Sequence, residues 1–226
     1  MQIERLHIYS DNLGDQFMFY KHRMNLPVEK ISSDKIEVQV GYSVLQIEKS
    51  TAFKPYHLAF HIAAEQENRA LEWLKERVDI LKMKEEEIID FSSWNAKSIY
   101  FYDANHNVLE FISRKHIHQT SSKDFSEKQI YGIAEVGLAV ENVKSTFEQI
   151  HRETGLEQYA GNLEEFCPIG DDSGLLITVD KNKKTWFPTS DKSENAAFKL
   201  RFTHQEEYCE LEYDGLDLFI ENFSNP

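Results

Sequence analysis

Residues 3–10 alternate apolar and polar positions, the period-two pattern of a strand with one face buried, and residues 13–24 then space their apolar side chains as a helix does. Three short alternating runs follow at 28–30, 36–40 and 44–48, giving the order βαβββ. The same order begins again at 56–63, with an amphipathic helix over 67–78, a strand near 80–83 and a hairpin over 98–113. A third unit runs from a strand at 133–140 through a helix at 143–154 to strands at 165–167 and 175–179. Beyond it, 197–203 and 209–221 read as strands, and the HQEEY between them is too short for a crossover helix. The pattern predicts an α+β fold of tandem βαβββ units, three full and a fourth without its helix, whose curved mixed sheets surround a cavity. Residues 1–115 would form one pair of units, 116–129 a linker rich in Ser, Lys and His, and 130–226 a degenerate second pair.

The alternation also sorts side chains by face. His7 lies with Arg5 and Tyr9, against Leu6 and Ile8, and His57 lies with Ala59 and His61, against Leu58, Phe60 and Ile62. On the hairpin, Tyr100 shares a face with Ser98 and Tyr102, and Glu110 alternates with Leu109 and Phe111. Two strand histidines at matching places in successive units, with a carboxylate on the closing strand, can hold a divalent metal and leave positions open for substrate. His7, His57 and Glu110 are therefore expected to converge, with His61 beside them as a second-layer or acid–base imidazole. Aligning AEVGLAVEN with ERLHIYSDN puts Gly137 where His7 stands. One metal per chain, held by the first two units, follows as the expectation, with the third and fourth units structural.

Charge and composition narrow the partners. A net charge of -14 over 226 residues repels nucleic-acid phosphates and anionic lipid, which leaves small molecules. Two cysteines, Cys167 and Cys209, make neither a disulfide framework nor a zinc cage. The strand pattern begins without a charged leader, and no apolar run is long enough to span a bilayer, so the expected location is the cytoplasm. Ser-His-Asp order, a nucleotide-binding glycine loop and a CxxC motif are all missing from the sequence.

Paired βαβββ units, a His in the first strand of each, and the stretch IYFYDANHNVLE ending in NxxE resemble the vicinal oxygen chelate superfamily. Glyoxalase I, extradiol ring-cleavage dioxygenases, fosfomycin-resistance thiol transferases and metal-free bleomycin-resistance proteins belong to it. The resemblance implies one divalent ion (Fe, Mn, Ni or Zn) on His7, His57 and Glu110. It also implies a further ligand at Gln46, which matches a Glu ligand of glyoxalase I, and a substrate-contacting or catalytic Tyr100. The turn DANHN departs from the common DPDGN, and Phe91 to Trp94 hold no histidine where ring-cleavage enzymes carry one. The expectation is a metal-dependent small-molecule enzyme nearest to extradiol dioxygenases. A glyoxalase-like lyase or isomerase and a fosfomycin-type transferase are the alternatives, a metal-free binding protein is the rival of different class, and a homodimer stays open.

Overall fold

The computed structural model describes residues 1–120 and 122–223. The first unit comprises β1 (Gln2–Ser10), α1 (Leu13–Met18), β2 (Val28–Lys30), β3 (Lys35–Val40) and β4 (Ser43–Lys49). Asn12 caps α1 by accepting from the Asp15 amide, and the helix widens into a π turn over Phe19–Arg23, so the expected single helix has two geometries. The second unit has β5 (His57–Ile62), α2 (Glu67–Lys75), β6 (Ile80–Leu81), β7 (Ile89–Phe91), β8 (Ala96–Tyr102) and β9 (Val108–Arg114). The third has β10 (Ile130–Val140), α3 (Val143–Thr154), β11 (Phe166–Asp171) and β12 (Gly174–Asp180). The chain then closes on β13 (Phe198–His204), β14 (Glu207–Tyr213) and β15 (Leu218–Phe223), with no helix among the described residues of that stretch. The single run expected over 209–221 breaks because the Asp214 side chain accepts from the amides of Leu216 and Asp217 and turns the chain.

Two sheets result. One runs β15-β14-β13-β1-β4-β3-β2 and the other β11-β12-β10-β5-β9-β8-β6, with β7 also on β8. Inside each of the first three units the opening strand pairs in parallel with the last, as in Leu6 with Leu45, Ala59 with Glu110 and Gly137 with Ile177. The units themselves join by antiparallel seams, β1 on β13 and β5 on β10. The first unit thus joins the closing strands and the second joins the third, which corrects the expectation that the first two units enclose a common cavity.

Leu6, Ile8, Leu45 and Ile47 of the first sheet and Leu58, Phe60, Phe111, Val136 and Leu138 of the second belong to one continuous core with Phe19, Leu74 and Ile150 of the helical segments. The apolar faces of both sheets therefore turn toward a shared interior, and their polar faces point away from it. Ser43 ties the layers together, donating to the Ile3 carbonyl at 2.7 Å and accepting from the Ile133 amide at 2.9 Å. Among the described residues no helix is long and apolar enough to cross a membrane.

Candidate metal centre

Three neighbouring strands of the second sheet carry the site. β5 lies between β9 and β10, and Ala59 is flanked by Glu110 on one side and Glu135 on the other. His57, two residues back on β5, shares their face. Its Nε2 lies 3.5 Å from Glu110 Oε2 and 3.8 Å from Glu135 Oε2, and one potential ligand atom from each of the three residues lies within 4.8 Å of the others. All three are buried, at 6%, 2% and 2% exposure. The glycine-poor turn that presents Glu110 is held by Asp103, which accepts from the Asn105 and Asn107 amides, while His106 takes the left-handed conformation at φ 58°.

Electrostatics make the cluster unusual. His57 Nδ1 is 3.2 Å from the Val108 carbonyl, which can only accept, so that nitrogen carries the proton and Nε2 faces the carboxylates. Burial works against a charged His57, yet the Glu135 contact and the charges of Glu110 and Glu135 outweigh it and raise its pKa. Glu110 is pushed up to about 7 by burial and by the Glu135 charge. Glu135 is held low despite its burial, because His57 and Arg114 both favour its anion. Two buried carboxylates around an imidazole whose far nitrogen is fixed by a backbone carbonyl fit a divalent cation, since the donors are hard or borderline and the negative charge needs a partner. The residues present therefore fit the implied metal.

The cluster that the structure brings together differs from the expected donor set. His7 and Gln46 stand side by side on the polar face of the first sheet, with Arg5 and Lys199, around a separate depression of about 310 Å³. His7 Nε2 is 3.2 Å from Glu48 Oε2, and Gln46 Oε1 is 3.4 Å from Arg5 Nη1. Neither joins His57 and Glu110. The alternation that puts His7 and His57 on polar faces also puts the shared core between them. Tyr100 does join the site, paired with Glu110 across β8 and β9. Burial, then the Glu110 and Glu135 charges, raise its pKa well above the ordinary value, so its hydroxyl keeps its proton. His61 is fully buried, with Nε2 3.1 Å from the Ser173 carbonyl, and it does not line the cavity.

Glu135 is the member of the cluster that the sequence pattern does not single out. The position equivalent to His7 in the third unit is Gly137, and the carboxylate comes from two residues earlier on the same face. A lone acid in the otherwise apolar or small run IAEVGLAV was its signal. The missing Gly137 side chain has its own use, since a Cβ there would lie 2.5 Å from Trp186 and 3.1 Å from the His57 Cβ. Trp186 packs on His57 with ring centroids 5.4 Å apart. It belongs to the connection between β12 and β13, whose residues 183–189 cover the polar face of the second sheet. Beneath them is a cavity of about 460 Å³ lined by His57, Glu110, Glu135 and Tyr100, by the aromatic groups Phe91, Trp94, Phe166, Trp186 and Phe187, and by Ile112, Ile177 and Val179.

No protein-family model matches the chain, and no curated protein matches its sequence. Among solved structures, a "putative dioxygenase" from Bacillus subtilis superimposes over 100% of this chain and 86% of its own, with a TM-score of 0.62 at 11% identity. The chain has the vicinal oxygen chelate fold. A glyoxalase I mutant from Zea mays aligns with 78% of this chain and 66% of its own, with a TM-score of 0.51 at 10% identity. Within the vicinal oxygen chelate fold, the pair of units that closes on the cavity here is the second and third. The side chains of the buried cluster come from the first strand of each and the last strand of one.

Proposed function

We propose that this chain is a metal-dependent enzyme acting on a small, largely apolar and ring-bearing molecule in the cytoplasm, in the manner of the dioxygenase branch of its fold. The observation that carries this reading is the buried His57, Glu110 and Glu135 group opening on an aromatic cavity. His57 Nε2 and one oxygen from each carboxylate would hold the ion, and this oxygen-rich set suits Fe, Mn or Zn. When bound, the ion supplies a Lewis acid for two adjacent substrate oxygens and steadies the charge that develops on them. Tyr100 offers a hydroxyl donor beside Glu110, and the aromatic walls exclude water and orient a planar group. Lys183 and Lys184 at the rim are already paired with Asp180 and Glu165, at 3.2 and 3.3 Å, which speaks against a phosphonate as the main ligand.

A second reading, proton transfer of the glyoxalase kind, is favoured by Glu110, whose pKa of about 7 suits a general base near neutrality. Metal analysis and titration of the purified chain come first, with saturation near one equivalent expected. The iron-loaded and manganese-loaded protein is then offered catechols under oxygen, and the zinc-loaded and nickel-loaded protein hemithioacetals. A chain that takes up no metal is a binding protein instead, and the enzyme reading fails.

A further inference from the structure

Arg114 follows Glu110 by four residues on β9, so both side chains point to the same face, yet the guanidinium is fully buried behind the cavity wall. Its Nη2 donates to Glu135 Oε1 at 3.0 Å, and its Nε lies 3.4 Å from Asp172 Oδ1. Asp172 is itself fixed from outside, accepting from the Tyr159 hydroxyl at 2.6 Å and standing 2.6 Å from His116 Nε2. The guanidinium is thus clamped between a carboxylate of the site and one at the surface. Glu135 divides its oxygens accordingly: Oε1 faces Arg114 and Oε2 faces His57.

We propose that Arg114 is the positioning residue of the metal centre: it occupies Glu135 Oε1 so that only Oε2 is offered to the ion, and it sets the charge that the site presents. This rests on the metal-binding reading above. A buried ion pair is seldom retained for stability, because an apolar replacement of similar volume often serves as well or better. Here the pair has a directional consequence. Without Arg114, both oxygens of Glu135 are free to turn on the ion and close a position that substrate needs. Charge gives the same answer. Glu110, Glu135 and Asp172 with Arg114 and a divalent ion together form a neutral set, which a low-dielectric interior tolerates. Removing the guanidinium leaves Glu135 a buried anion beside a second carboxylate, Glu110, with His57 as its remaining partner.

Cobalt(II) is the probe, because its visible absorption reports coordination number and its affinity is measured by competition with a chelator. The wild type is expected to bind one equivalent. Arg114→Met, checked for folding by circular dichroism, is expected to change the affinity about tenfold or more and to show an altered absorption band. Arg114→Lys, which keeps the charge and so the fold, is expected to bring the affinity part of the way back to the wild-type value but not to restore the wild-type band, because ammonium lacks the fixed fork. Wild-type affinity and band in either folded variant would overturn the positioning role while leaving the metal centre intact. A wild type that binds no cobalt would overturn both.

Discussion

At the scale of single residues, the histidine and carboxylate assignments separate cleanly. His57→Ala and Glu135→Gln should each lose metal uptake with the fold retained, since both point at a cavity. His7→Ala should leave uptake unchanged, because that ring faces Glu48 on the far side of the core. Metal analysis by plasma mass spectrometry on the three variants decides it, and loss in His7→Ala would restore the sequence-based ligand set. His61 gives a pH prediction. Burial, reinforced by the Arg114 charge, holds its pKa down to about 3, against 6.5 ordinarily. The unfolded chain therefore takes up a proton that the folded chain refuses, so this residue's contribution is intact above 6.5 and is lost as pH falls toward 3. The loss is about 1.4 kcal/mol per pH unit, or roughly 2 kcal/mol at pH 5. Urea unfolding at pH 7.5 and pH 5 should show a smaller acid loss in His61→Gln, whose amide can still reach the Ser173 carbonyl. Equal losses would mean His61 is not the sensor.

At the scale of elements, the strands and helices were readable because one face of each is buried, and that imposes periods of two or 3.6 on the sequence. The helix at Val143–Thr154 has the bounds read from its pattern. What periodicity does not contain is which strand edge meets which. The β1–β13 and β5–β10 seams are set by long-range contacts, and so the partner of each unit differs from the one that sequence order suggests. The same gap hides Glu135, which lies two residues before the repeat-equivalent Gly137 and so carries no periodic signal, whereas His57 and Glu110 follow from their own strands. The layers are joined at Ser43, whose hydroxyl serves the Ile3 carbonyl and the Ile133 amide at once. Ser43→Ala leaves that buried amide unpaired and should cost about 1–3 kcal/mol in urea unfolding, with metal stoichiometry unchanged. A change under 0.5 kcal/mol, roughly that of an ordinary surface site, would show that the bridge contributes little.

At the scale of the whole molecule, the polar faces have diverged. One is roofed by residues 183–189 and holds the buried donors. The other carries paired charges, Lys35 with Glu48 at 2.8 Å, Arg5 with Glu37 at 2.5 Å and Lys199 with Glu212 at 3.0 Å. Because the proposed donors lie on both sides of the β5–β10 seam, a bound ion would act as a cross-link between two units. Stability should rise with the logarithm of free metal, by about 2.7 kcal/mol at a hundredfold excess over Kd, and the thermal midpoint should show it. Residues 1–115 alone should neither bind metal nor unfold cooperatively, since Glu135 and both seam partners are missing. A folded, metal-binding fragment would mean the first two units are self-sufficient after all.

The seams also bear on how the chain is made. β1 leaves the ribosome long before β13, which covers its open edge and begins only at Phe198. At about 5–20 residues per second, that edge waits roughly 10–40 s, while β5 waits a shorter time for β10. During that interval a nascent chain exposes two unpaired strand edges beside an apolar face, the condition under which neighbouring polypeptides pair wrongly. Yield in a cell should therefore depend on chaperone supply and on translation speed between β9 and β13 more than on the stability of the finished protein.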